Sequence, residues 1–389
     1  MGCNKPTIKA QILVYEVRIL MRHNLMKMEK KHKYSYRWKL KETNFTKDKG
    51  KVMSCFACGG GSTMGYKLAG YDVIAANEID PRMMKIYRSN HHPKYSFLCD
   101  IRDLKRKIQK CEATMKEELY SLDILDASFP CSPFSMSGNR EKDWGKTKKF
   151  REGQKSQLLD DLAFYAIDLA KELRPKVVIC ENVKGIILGN AKKYTKRIHE
   201  EFWKAGYYCQ HFLLSAEDMG VPQRRPRVFF LCLRNDLAND FLVQQDLFVS
   251  TPYINMEFKE PPILYGDIED NTDAVYFTPT VKSIWEQRID GDSLLCDAYE
   301  RQYHKRKYFD FSFAYRSRVA PTLTSHRESV ISFTEPRYMS DNEIIHISTF
   351  PEDYDFGTEK PIYVCGMSVP PVMMANVASR VYDHWLSKL

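Results

Sequence analysis

No signal or membrane-spanning segment is expected in the 389 residues. The nearest candidate, residues 12–21, is broken by Glu16 and Arg18, whereas a helix needs about 20 apolar residues to cross a bilayer, so no membrane role is expected. A disulfide framework is not expected either: the 11 cysteines are odd in number and scattered. No secretory signal precedes them, so they read as reduced thiols of a cytoplasmic protein. Cys55 and Cys58 form a C-x-x-C pair, but no second pair or histidine at zinc spacing accompanies them, so no metal site is expected. Internal repeats and low-complexity tracts are absent too.

What is present suits a folded, soluble chain in two unequal parts. Hydrophobic residues at 43% suffice for a sizeable core, and 389 residues exceed what one core usually organises. The formal charge of +9 favours a polyanionic partner. Residues 22–51 hold eleven Lys/Arg against three acids, so most of the excess sits there, as a solvated arm or as a nucleic-acid contact.

From Lys51 onward, strand and helix signals alternate. Apolar 52–56 precede a glycine turn, a helix-like 63–69 follows, and a second apolar run, 72–76, ends at Asn77-Glu78. The pattern recurs at 122–127, at 177–180 after a helical 158–173, and at 228–233. Repeated β-α units predict an α/β fold built on a doubly wound, mostly parallel sheet. The rhythm breaks beyond Asn235. The expected division is a basic extension at 1–50, a catalytic and cofactor-binding domain at 51–235, a smaller domain at 236–330 and a return to the first domain at 331–389.

Chemistry gathers where the strands should end. Phe56-Ala57-Cys58-Gly59-Gly60-Gly61 forms a glycine turn between strand and helix, suited to close approach of a ligand. Glu78, at the end of the next strand, can accept ribose hydroxyls, and Asp100, expected to end a third, can receive an adenine amino group. Phe129-Pro130-Cys131-Ser132-Pro133-Phe134-Ser135 sets a thiol between prolines after the fourth strand, and the glycine-bearing, basic residues 137–154 read as a loop able to close over a phosphate backbone. Glu181-Asn182-Val183 ends the next strand, and Gln223-Arg224-Arg225-Pro226-Arg227 supplies guanidinium groups before another.

In order and spacing these segments resemble the DNA cytosine-5 methyltransferases of bacterial and phage type. The resemblance covers residues 52–389 and continues through Arg318-Val319-Ala320-Pro321-Thr322-Leu323-Thr324 to Gly366-Met367-Ser368-Val369-Pro370-Pro371. Two positions depart from the family pattern: Cys58 stands at its first glycine, and Met367 where asparagine is common. The resemblance implies a Rossmann-like fold, S-adenosylmethionine as cofactor and duplex DNA as partner, a monomer, and a possible cognate restriction endonuclease. It implies Cys131 as nucleophile toward carbon 6 of a flipped-out cytosine, with Glu181 at ring N3 and Arg227 at O2, and Arg225 in the same catalytic set. Cofactor contacts are expected from Phe56, Gly59, Gly60, Gly61, Glu78, Ile79, Asp100, Ile101, Pro130, Leu162, Met367 and Val369. DNA contacts are expected from Ser135, Ser137, Arg140, Lys305, Arg306, Lys307 and Arg316. A tRNA-modifying branch shares these motifs, but its Cys-Phe-Thr tripeptide is absent here. A catalytically silent DNA-binding relative would be expected to lose Cys131 or Glu181, and both are present.

Overall fold

The computed structural model describes residues 32–130, 161–244, 250–308 and 311–389. From Lys51 the chain alternates strand and helix: β1 (Lys51–Cys55), α1 (Gly61–Leu68), β2 (Asp72–Glu78), α2 (Pro81–His91), β3 (Tyr95–Leu98), α3 (Ile101–Gln109), α4 (Ala113–Leu119) and β4 (Ile124–Ala127). After residues 131–160 come α5 (Leu162–Leu173), β5 (Val177–Val183), α6 (Ala191–Lys204), β6 (Tyr207–Ser215) and β7 (Pro226–Arg234). The seven strands form one sheet in the order β3-β2-β1-β4-β5-β7-β6. The first five strands run parallel, whereas β7 is antiparallel to both β5 and β6. The mostly parallel, doubly wound expectation therefore holds, with an inverted hairpin on one side.

Strand periodicity decides which side chain meets which helix layer. Met53, Cys55, Leu125, Val178, Cys180, Phe230 and Cys232 face one way, into a core shared with Leu104 and Ile108 of α3, Leu169 and Leu173 of α5, and Ile198 and Phe202 of α6. Their neighbours Val52, Ile124, Val177, Ile179, Phe229 and Leu231 face the other way, onto Tyr66 of α1 and Val372, Met373, Val377, Val381 and Trp385. Burial on both faces explains the near-continuous apolar runs of these strands.

Helix starts follow local chemistry. Asp80 caps α2 by accepting from the Arg82 and Met83 amides, with Pro81 in the first turn. Asp100 caps α3 by accepting from Arg102 N. Asp100, expected to end β3, lies beyond it: that strand stops at Leu98 and the carboxylate serves two residues later as a cap.

Beyond β7 lie the short strands β8 (Leu242–Gln244) and β9 (Ser250–Pro252), helices α7 (Pro279–Trp285) and α8 (Leu295–Tyr303), and strands β10 (Ser312–Ala314) and β11 (Val330–Ser332). Phe277, Ile284, Trp285, Leu295, Phe311, Phe313 and Ile331 give this region an apolar cluster of its own. The chain ends in α9 (Asp341–Ile347), α10 (Pro361–Met367) and α11 (Pro371–His384). The apolar stretch Pro361–Lys388, which holds α10 and α11, is mostly buried within the protein.

Residues 34–41 are tied down by several contacts. The Tyr34 hydroxyl lies 2.6 Å from Ser379 Oγ, Trp38 Nε1 donates to the Thr349 carbonyl at 2.9 Å, and the Leu40 and Lys41 amides donate to the Asp353 carboxylate.

Candidate active site

The parallel strands β1, β2, β4 and β5 end at one edge of the sheet, and β7 begins there. The loop from β1 to α1 is held in an unusual conformation, with Phe56, Cys58 and Gly60 all left-handed at φ 55°, 46° and 79°. A side chain at Gly60 would also overlap the His91 ring, and one at Gly61 would overlap the Val369 carbonyl. These glycines admit close approach of other parts of the protein, so the late Ser368-Val369 turn can sit against the start of α1. Gly59 contributes its carbonyl, which accepts from the Tyr354 hydroxyl and lies 3.4 Å from His91 Nε2. Burial pushes His91 down to about 3, so that ring stays neutral.

Glu78 fastens this loop to the end of β2. One carboxylate oxygen accepts from Cys58 N at 2.8 Å, the other from Ile79 N at 2.8 Å and Asp80 N at 2.9 Å. Burial raises its pKa while those three amides lower it. A carboxylate has about four acceptor positions, so one remains for a ribose hydroxyl. Beside it, Ile79 and Leu98 are 39% and 41% exposed, apolar faces on which an adenine could rest. The residues thus fit a nucleoside. Asp100 is divided between its cap and an ion pair with Arg102 Nη1 at 3.0 Å, and Ile101 and Leu162 are buried at the starts of α3 and α5. Phe56 and Met367 are half-buried and Val369 is buried.

At β5 and β7 the structure brings two expected partners together. Arg227 Nε lies 2.8 Å from Glu181 Oε1, with both side chains only 12% and 13% exposed. Burial raises the Glu181 pKa, and the charges of Arg227 and Arg225 oppose that rise. The end of β5 is laced to the segment leading toward Cys131: Glu181 N donates to Ser128 Oγ at 3.2 Å, and Asn182 Nδ2 donates to the Phe129 carbonyl at 3.0 Å. Pro130 is half-buried. Cys131, Ser135, Ser137 and Arg140 lie outside the described residues.

Arg225 turns elsewhere. It is 2% exposed and donates to the carbonyls of Leu323 (2.8 Å), Gly366 (3.0 Å) and Ser368 (3.0 Å), with Gln223 Oε1 at 3.3 Å. It joins the segments of both late motifs to β7, and only its charge reaches Glu181. Lys305, Arg306, Lys307 and Arg316 are exposed on the smaller region. Arg306 pairs with Glu300 at 3.4 Å and Arg316 with Glu269 at 2.8 Å.

Sequence reasoning passed over several residues of this edge. Leu98, His91 and Tyr354 carried no local signal. Asp126 and Ser128 did: a carboxyl and a hydroxyl inside the apolar run before Pro130-Cys131 are unusual in a strand buried on both faces.

Comparison with known proteins agrees with this layout. The sequence model of the family described as C-5 cytosine-specific DNA methylase matches residues 50–383. The type II methyltransferase M.NgoMIV of Neisseria gonorrhoeae is 35% identical over 83% of this chain and 94% of its own length. M.Bsp6I of a Bacillus strain, also a type II methyltransferase, is 25% identical over 86% of this chain and 99% of its own. Among solved structures, a Spodoptera frugiperda DNMT2 mutant superposes with a TM-score of 0.55 at 18% identity, covering 85% of this chain and 99% of that one, a likeness of fold.

Proposed function

This chain belongs to the C-5 cytosine-specific DNA methylases, and from that premise we propose a covalent mechanism centred on Cys131. Family membership gives the activity: methylation of cytosine at carbon 5 in DNA. Carbon 5 of cytosine is a poor nucleophile until the ring's aromaticity is broken. The Cys131 thiolate adds to carbon 6, which makes carbon 5 enamine-like, and the Cys131 bond breaks once carbon 5 has lost its proton. Glu181 holds or protonates N3 and Arg227 binds O2, where charge develops during addition. The target base must leave the duplex stack to reach these groups.

S-adenosylmethionine, when bound, supplies an electrophilic methyl group. Glu78 would hold its ribose and Ile79 its adenine face, with Asp100 toward the adenine amino group. Phe56, Gly59, Gly60, Gly61, Ile101, Pro130, Leu162, Met367 and Val369 complete its surroundings.

The observation that carries the reading is the ion pair of Glu181 and Arg227, half-sealed at the sheet edge and laced to the stem of Cys131. Residues 236–330 are the target-recognition domain, with Lys305, Arg306, Lys307 and Arg316 reaching phosphate or base edges, and the enzyme acts as a monomer on a specific duplex sequence. The type II relatives favour a role beside a restriction endonuclease. Transfer of labelled methyl groups to duplex DNA, with tRNA as the competing acceptor, tests the substrate, and bisulfite sequencing then gives its context. Preferential labelling of tRNA would overturn the proposal.

A further inference from the structure

Asp126 is the acidic group of this edge that the mechanism above leaves unused. It lies in β4, four residues before Pro130, and is 1% exposed. A carboxyl in such a place is expensive unless it is paired or protonated. Among the described residues it makes no ion pair. Ser54 Oγ, opposite it on β1, donates to Oδ2 at 2.8 Å, and Ser128 Oγ donates to Oδ1 at 3.2 Å. The same Ser128 oxygen accepts the Glu181 amide at 3.2 Å. One hydroxyl therefore joins the Asp126 carboxyl to the backbone of Glu181.

The groups that face Asp126 do not neutralise it. They are Cys55 on β1, Tyr66 on α1, Tyr87 on α2 and Cys180 on β5, all held neutral by burial. The charge that acts on Asp126 is that of Glu181. Burial foremost, and then this like charge, push the Asp126 carboxyl up to about 7 against the two hydroxyls that favour its ionised form.

We infer that Asp126 is a positioning residue of the methylation reaction: through Ser128 it sets the backbone of Glu181, and through its own charge it tunes the proton affinity of that carboxyl. The inference rests on the reading of Glu181 as the group facing ring N3. The Glu181 charge acts on the Asp126 carboxyl, so the ionisations of the two groups are linked. They keep one proton between them until the pH rises through neutrality, and turnover falls as that proton is lost. With asparagine at 126, the proton affinity of Glu181 is set by burial alone against the opposing charges of Arg227 and Arg225, so it loses its proton at lower pH.

The test is the pH profile of kcat between pH 5.5 and 9, at saturating S-adenosylmethionine and DNA, for the wild type, Asp126→Asn, Ser54→Ala and Glu181→Gln. Asp126→Asn should move the alkaline limb toward acid by about one pH unit, roughly tenfold less turnover at pH 8.5, with KM for both substrates within about twofold of wild type. A purely structural role would lower kcat equally at every pH and leave the limb in place, and that result would overturn the inference. Ser54→Ala removes one hydroxyl from Asp126 without touching Ser128, so Asp126 ionises less readily, the pair keeps its proton to higher pH and the limb moves the opposite way, toward alkali, by a smaller amount. It decides the matter if Asp126→Asn does not fold. Glu181→Gln separates the two claims. If it keeps wild-type turnover, the Glu181 reading fails; if it is inactive while the other two keep the wild-type limb, only the Asp126 inference fails.

Discussion

Replacing Arg225 by methionine keeps most of the side-chain volume and removes the guanidinium, which isolates the worth of its carbonyl cage. In the wild type that group donates to the backbone oxygens of Leu323, Gly366 and Ser368 at 2.8–3.0 Å in a site that is 2% exposed. A buried acceptor left without a donor costs about 1–3 kcal/mol, so three of them should cost roughly 3–6 kcal/mol after some relaxation. That is a large part of the 5–15 kcal/mol by which a folded domain is typically stable, as an order of magnitude. Urea unfolding followed by tryptophan fluorescence would measure it. Because Gly366 and Ser368 lead to Val369 over Gly61, S-adenosylmethionine affinity should fall together with stability. A loss under about 1 kcal/mol, or an unchanged midpoint with turnover abolished, would show that Arg225 acts on the substrate and that the cage reading is wrong.

Three further outcomes follow from the geometry. Glu78→Ala removes the carboxylate that binds the Cys58, Ile79 and Asp80 amides, so S-adenosylmethionine affinity by calorimetry should drop by about 1.5–3 kcal/mol, ten- to a hundredfold; an unchanged affinity would exclude Glu78 from the cofactor site. Asp126 also links stability to pH: its folded pKa is near 7 and its unfolded value near 3.9, so the folded state holds a proton that the unfolded chain has lost, and that stability disappears as the pH rises toward 7. Between pH 5 and 8 the wild type should lose roughly 3 kcal/mol more unfolding free energy than Asp126→Asn, and parallel curves would contradict the assignment. Exchanging residues 236–317 for the matching region of a relative with another target should move the methylated sequence, whereas an active chimaera that keeps the original target would refute the placement of the recognition domain.

Much of the sheet was legible because its central strands are buried on both faces and read as continuous apolar runs, as at 52–56, 122–127, 177–180 and 228–233. Strand β6 was not. It lies at the edge, and residues such as Gln210, His211 and Leu213 are half-buried or exposed, so no apolar run or clean alternation marks it. Nor does any local pattern announce that β7 inserts between β5 and β6, since its pairing with β5 joins residues far apart in sequence. The cap at Asp100 was readable from the spacing of Ile101, Leu104 and Ile108 behind it, a helix signal that the expectation of a strand end obscured.

At the site, motif order pointed to Glu181 and Arg227 together, and the structure brings them to 2.8 Å. The direction of Arg225 could not be read, because the two late segments that supply its carbonyls are about 100 and 140 residues away. Asp126 shows the same limit. Its partner Ser54 is 72 residues upstream and becomes a neighbour only through the β1–β4 register.

The central claim is a covalent bond between Cys131 and carbon 6 of cytosine, and a fluorinated substrate tests it most directly. Release of Cys131 requires loss of the proton on carbon 5, and fluorine at that position cannot leave as a cation. Duplex DNA carrying 5-fluorocytosine at the target should therefore accumulate a denaturation-resistant adduct with the wild-type chain when S-adenosylmethionine is present. Cys131→Ala should give none. Mass spectrometry of the digested adduct should place it on the peptide containing Pro130 and Ser135, with one methyl group added to the base. No adduct on a target whose normal counterpart is methylated, or an adduct on another of the 11 cysteines, would contradict the account.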